Sequence, residues 1–296
     1  MRLLPEELHT SNRPSITAQA VTMYRALEMH RAPRERIVTD RYAATFLSPF
    51  GKALRGPLAL ALPALDLAER NGTTGMSTYV LCRHRFIDDH LGRSLDEGAE
   101  QVVILGAGYD SRAYRFADQL AGRPVFEVDL APLSRRKAAV VAAYPGLFGR
   151  SSVRRVEIDF RTQSLAERLG EAGFLGGRRT FVAWEGVAPY LDARAVEGTL
   201  AALGELCGPG SVLAMDLWDG ADGPGALAAM RRLGARTIAL VGEPVTFGIQ
   251  PAAVAGLLAP AGFGLLDLAE SAELTSRYAT LGRRSSESTY VLAARC

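Results

Sequence analysis

The run Q-V-V-I-L-G-A-G-Y-D-S-R-A-Y-R-F-A-D-Q-L-A-G-R-P-V-F-E-V-D occupies residues 101–129. It reads as strand, glycine turn, helix, and a second strand with a terminal acid. Gln101 to Leu105 is a β-branched apolar run, the pattern of a strand buried on both faces. Gly106 and Gly108 follow at once and let the backbone turn tightly and come close to a ligand. Asp110 and Ser111 are placed to cap a helix that begins near Arg112. Val125 to Asp129 forms the next strand. In a parallel sheet Asp129 would lie beside the glycine loop, where a carboxylate can accept hydrogen bonds from both hydroxyls of a ribose. The stretch therefore predicts a nucleoside cofactor on an α/β sheet.

Gly106-x-Gly108-x-x-Ser111, with Asp129 about 20 residues on, comes close to the dinucleotide fingerprint but has Ser111 where the third glycine belongs. On these residues alone S-adenosylmethionine, a dinucleotide such as NAD, and a structural turn without a ligand all stay open. Composition narrows the field elsewhere. The chain has 296 residues, 48% hydrophobic and 22% charged, an ordinary globular balance. Its 34 basic and 32 acidic residues leave a net charge of +2, which gives no reason to expect nucleic acid or an anionic membrane as partner. Cys82, Cys207 and Cys296 have neither metal nor disulfide spacing. No apolar run reaches the roughly 18 residues of a membrane span, and the first residues lack the apolar core of a signal peptide. These features predict a cytoplasmic protein.

Outward from the glycine loop, the chain divides in two. Residues 1–95 read as a helical lid or substrate cap: helices over 15–30 and 77–91, a short one through Leu47, a break at Ser48–Gly51, and one or two short helices over 52–70 interrupted by Pro57 and Pro63. Residues 96–296 alternate strand and helix, with strands at 101–105, 125–129, 153–159, 180–186, 211–218, 264–268 and 288–294. This pattern predicts seven strands in a mostly parallel α/β sheet covered by helices on both faces. The last two strands lack a full helix between them, so antiparallel pairing at one edge is expected. Residues 221–250, with a helix at 224–233, are expected to insert into the acceptor pocket. Ligands on such sheets bind outside the carboxyl ends of the strands. Acids recur there: Asp129, Asp159, Glu185 and Asp216. Each alone also reads as a helix cap or a solvated turn.

Four of these motifs, L-G-A-G-Y-D-S-R (105–112), F-E-V-D-L (126–130), E-I-D-F-R (157–161) and W-E-G-V-A-P-Y-L (184–191), resemble the leucine carboxyl methyltransferase superfamily. S-I-T-A-Q-A (15–20), R-I-V-T-D-R-Y-A (36–43) and L-C-R-H-R-F-I-D-D (81–89) are similar to its bacterial branch, which includes O-methyltransferases of polyketide biosynthesis. The resemblance covers about residues 15–295. It implies a class I methyltransferase (Rossmann-like) fold that uses S-adenosylmethionine and releases S-adenosylhomocysteine. It also implies site roles: Arg83 for the methionine carboxylate, Gly106 and Gly108 for close approach of the loop, and Asp129 for the ribose. Asp159 and the backbone of Phe160 would meet the adenine, and Glu185 the methionine amino end. Many class I methyltransferases carry an acid two residues before the first glycine; here Ile104 stands there.

The sulfonium methyl is already activated, so the protein has mainly to align donor and acceptor and exclude water. A carboxylate acceptor would need no base, whereas a phenol or alcohol would gain from one. His84 is the candidate base, with His30 and His90 nearby in sequence and His9 more remote. Tyr190 is the candidate for positioning the acceptor. No His/Cys/Asp cluster has metal-ligand spacing, so no metal is expected. The expected function is methyl transfer to a hydroxyl or carboxylate oxygen of a small natural-product-like acceptor. The alternatives are a carboxyl methyltransferase acting on a peptide C-terminus and, more distantly, an NAD-dependent oxidoreductase or a non-catalytic cofactor binder. The expected assembly is a monomer or homodimer.

Overall fold

The computed structural model describes residues 16–72, 75–149, 152–160, 162–219, 245–286 and 289–296. Seven strands form one sheet in the order β3-β2-β1-β4-β5-β7-β6. They are β1 (Gln101–Leu105), β2 (Val125–Asp129), β3 (Val153–Glu157), β4 (Thr180–Trp184), β5 (Val212–Trp218), β6 (Gly264–Ala269) and β7 (Thr289–Arg295). The first five are parallel to one another, and β7 runs antiparallel to both β5 and β6. The expected antiparallel edge is present, although an eight-residue helix, Ser271–Tyr278, does lie between β6 and β7.

The three central strands β2, β1 and β4 are buried at every residue. Side chains alternate between two cores. Val102 and Ile104 of β1 face one, Val103 and Leu105 the other. The second core is closed by α11 (Ala193–Leu206), which buries Val196, Thr199, Leu200 and Leu203 at helical spacing. Asp192 caps it as expected, accepting from Ala195 N at 2.8 Å. The first core is closed by α5 (Met76–Asp96), which buries fifteen of its 21 residues. The sequence reading groups this helix with the lid, but it packs on β4, β5 and β7 and is part of the sheet's own cover.

The more peripheral N-terminal helices are α1 (Ile16–Glu28), α2 (Ala43–Phe46), α3 (Pro49–Leu60) and α4 (Leu62–Arg70). Ser48–Gly51 is a helix start and not a break. Ser48 Oγ accepts from Gly51 N at 3.1 Å, and Pro49 takes the first helical position, where no N–H is needed. Pro57 does not interrupt α3; it lies inside it, near the end of a mostly exposed helix. The expected helix at 224–233 lies outside the described residues. Among the described residues no helix is long and apolar enough to cross a membrane.

One buried ion pair fixes the N-terminal helices to the glycine loop. Arg25 of α1 reaches Asp40 Oδ2 at 2.7 Å and donates to the Tyr109 carbonyl at 2.8 Å. Asp40 is fully buried and also accepts from Tyr42 N, Ala43 N and Ser111 Oγ. Removing one partner of such a pair strands the other charge without solvent. Asp40→Ala should therefore cost about 3–5 kcal/mol of stability, measured by denaturant unfolding.

Candidate active site

The carboxyl ends of β1, β2, β3 and β4 bring the expected residues to one edge of the sheet. The loop after β1 is held by glycines in the left-handed region, Gly106 at φ +62° and Gly108 at φ +41°. A Cβ on Gly106 would fall 2.1 Å from Val187 Cγ2, so this glycine is required by close approach of the loop that follows β4. Asp110 Oδ1 accepts from Arg112 N at 2.7 Å, as a cap would. Ser111 makes no cap. Its hydroxyl donates to Asp40 and accepts from Arg115 Nε.

Asp129 ends β2 directly beside this loop. Its two oxygens accept from Gly108 N at 2.5 Å and Leu130 N at 2.7 Å. Burial pushes its carboxyl up to about 6, against the pull of those two N–H groups and of Lys137. An acid raised in the fold stabilises the protein at low pH, and that contribution is lost as pH rises through about 6. At neutral pH Asp129 is thus a partly desolvated anion at the loop. Asp159 lies just past β3, half-buried, with its backbone N bonded to Gln163 Oε1 at 2.9 Å. Phe160 beside it packs on the second core.

Glu185 follows β4 and is the centre of a buried charge cluster. Its oxygens lie 3.0 Å from Arg83 Nε, 2.7 Å from Arg112 Nη1 and 2.9 Å from His84 Nδ1. Burial would raise its pKa, but His84, Arg112 and Arg83 outweigh that and hold it well below the usual carboxylate range. Arg83 also reaches Asp216 Oδ2 at 2.8 Å and lies 5.4 Å from the Tyr79 ring centroid. Asp216, fully buried within β5, accepts from Gly186 N through its other oxygen. Arg112 continues the cluster to Asp110 and Asp88, and Arg115 grips Asp88 at 2.6 Å. Tyr190 sits in the 3-10 turn Ala188–Tyr190, half-buried.

The expectation of His84 as a base needs correction. Its imidazole is only 2% exposed, and both nitrogens are engaged: Nδ1 lies 2.9 Å from both Glu185 Oε2 and Arg112 Nη2, and Nε2 lies 2.8 Å from Arg115 Nη2. Burial and Arg112 lower its pKa, against the pull of Glu185 and Asp88. That leaves no nitrogen for an acceptor's proton. His30 is exposed, His90 is buried against Phe86 and Asp267, and His9 lies outside the described residues.

The residue that the sequence reading missed is Arg112, taken there as a helix start. A cation at the N-terminus of a helix opposes the helix dipole, and that mismatch was a readable signal. Arg112 also bears on the metal question. Ligand atoms of His84, Asp110 and Glu185 converge within 4.8 Å, but the Arg112 guanidinium bonds both carboxylates and supplies the positive charge there.

Two cavities are described, the first reaching the cluster through Arg115. One of about 460 Å³ is lined by Arg41, Tyr42, Tyr114, Arg115, Asp118 and Phe148, among others. The other, about 320 Å³, separates α2 and α3 from α8 (Ala131–Ala143).

Gly106→Ala should destabilise the protein by more than the ~1–2 kcal/mol of a left-handed alanine, because the methyl meets Val187. In a double-mutant cycle Val187→Ala should recover part of the loss; strict additivity would show that the two loops do not interlock.

Residues 18–204 match the model of the family described as leucine carboxyl methyltransferase. Two relatives from Frankia alni, both named as S-adenosyl-L-methionine-dependent methyltransferases, are 35% identical over 206 residues and 34% over 202, each match covering 68% of both chains. A relative of the same name from Mycobacterium ulcerans is 36% identical over 199 residues, 67% of this chain and 62% of its own. A solved DUF574 family protein from Streptomyces avermitilis shares the fold at a TM-score of 0.57 and 15% identity, over 93% of this chain and 96% of that one. The dinucleotide reading of the glycine loop falls with these matches. The chain belongs to the leucine carboxyl methyltransferase family and is an S-adenosylmethionine-dependent methyltransferase.

Proposed function

We propose that this enzyme transfers the methyl group to a hydroxyl or carboxylate oxygen of a small, natural-product-like acceptor by in-line displacement. The observation that carries the donor half is the charge cluster at the end of β4. Arg83, Arg112 and Arg115 face Asp88, Asp110, Glu185 and Asp216 in one connected array, three positive charges against four negative. A buried array with net charge −1 fits a ligand of net charge +1. S-adenosylmethionine, with an ammonium, a sulfonium and a carboxylate, is such a ligand. When bound it supplies a methyl group already activated for displacement.

The chain's own residues then have binding roles. Glu185, held anionic by its cationic neighbours, faces the ammonium, and Arg83 takes the carboxylate with a fork that matches it. Asp129 accepts the ribose hydroxyls, with Gly106 and Gly108 keeping the loop close. Asp159 and the Phe160 backbone hold the adenine. Tyr190 positions the acceptor. The closure of His84 favours an acceptor oxygen that arrives anionic, a carboxylate or an acidic phenol, over an aliphatic alcohol that needs a base. A peptide C-terminal carboxylate, the second reading, meets the same condition and is favoured by the family's description.

Radiolabelled methyl transfer to a panel of phenols, small carboxylic acids and peptides tests the proposal. Alkali releases methanol from a methyl ester and leaves an aryl methyl ether intact, which separates the two oxygen classes. Transfer to peptides alone would replace the small-acceptor reading. Two outcomes test the donor side. Asp129→Ala should weaken S-adenosylmethionine by about 2–3 kcal/mol in calorimetry. In the unaltered protein, affinity should fall as pH drops through about 6, where Asp129 gains its proton, and this step should vanish in the variant.

A further inference from the structure

Arg112 opens α6 (Arg112–Arg115) with only 1% of its side chain exposed. Five groups from three elements converge on it. Nη1 hydrogen-bonds Asp110 of the glycine loop and forms an ion pair with Glu185 Oε2 after β4, the latter at 2.7 Å. Nε bonds Asp88 of α5 at 2.7 Å, and Nη2 donates to the His84 carbonyl at 3.0 Å and lies 2.9 Å from His84 Nδ1. Asp88 is gripped from its other side by Arg115, with contacts of 2.6 and 2.8 Å. A planar fork with five donors can bridge these groups at once; an ammonium cannot keep the same directions.

We propose that Arg112 is the positioning residue for Glu185, fixing the carboxylate that receives the amino-acid end of the donor. The proposal rests on the reading of Glu185 given above. Arg83 cannot do this alone. It is divided between Glu185 Oε1 and Asp216, and in that reading it also takes the donor's carboxylate. His84, buried beside Glu185, has its Nδ1 shared between Glu185 Oε2 and Arg112 Nη2, each at 2.9 Å. Arg112 alone meets Glu185 Oε2 with a full charge and is itself locked by Asp88 and Arg115. It touches the carboxylate from the side of the glycine loop and so ties Glu185 to that loop, beside the close approach of Val187 to Gly106.

The test uses two ligands that share adenosine and sulfur and differ in the amino-acid end: S-adenosylhomocysteine and 5′-methylthioadenosine. Calorimetric titration of Arg112→Gln should show a loss of about tenfold or more for the first and under about twofold for the second. Arg112→Lys should recover part of the selective loss, since it restores charge but not the fork. Equal losses for both ligands, or none for S-adenosylhomocysteine, would overturn the proposal. Where Arg112→Gln does not fold, Asp88→Asn serves: it leaves Arg112 in place but removes the negative charge that locks its Nε. Its expected loss is smaller and still confined to S-adenosylhomocysteine; an unselective loss counts against the positioning role. An unaltered protein that binds 5′-methylthioadenosine but gains nothing from the amino-acid end would remove the Glu185 reading itself, and with it the role of Arg112.

Discussion

Glu185 is an anion that water hardly reaches. Stripping a carboxylate of water costs several kcal/mol even after relaxation, and the fold tolerates it only because Arg83, Arg112 and His84 surround it. Such clusters are weak sources of net stability, since a well-packed apolar group can often do as well. What this one supplies is order. α5, the glycine loop, α6 and the ends of β4 and β5 each contribute one or two charges to it, and none can shift without uncovering a buried ion. A site that receives a zwitterion therefore has its charges in place before the ligand arrives, which is the economy of preorganisation.

A second buried pair extends the same logic to the periphery. Arg25 and Asp40 connect α1 to Tyr109 and Ser111, the residues between the glycines and Arg112. Ser111 Oγ then accepts from Arg115, which holds Asp88. A continuous polar chain thus runs from the N-terminal helices to Glu185. Burial alone would not have produced it: apolar contacts are non-directional, whereas these bonds fix both distance and angle.

Much of this was legible in the sequence. The strands around the glycine loop announce themselves because β1, β2 and β4 are buried on both faces, so their apolar runs are unbroken. Gly106 was legible as well, since only glycine meets the combination of positive φ and the approach of Val187. Three features were not. His84 looked available because sequence says nothing of what closes over an imidazole; two arginines and a glutamate from distant positions do so. Arg112 was hidden by its local role as a helix start, though a guanidinium in that place is an anomaly. Pro57 and Ser48–Gly51 were read by local rules that hold for helix interiors, while the chain used Pro49 as a first-turn residue and carried Pro57 in a mostly exposed helix.

The sheet order has a consequence for how the chain reaches this state. β7 is made after β5 and β6 yet lies between them, antiparallel to both. During synthesis β6 therefore has no partner on the sheet, and β5 shows an open edge of unpaired backbone groups until residues 289–295 arrive. Closure of the sheet is a late, long-range event, exposed meanwhile to pairing with other chains. Asp216, within β5 and opposite Val291 of β7, gains its full cover only then, so a binding-competent site cannot precede the insertion of that strand.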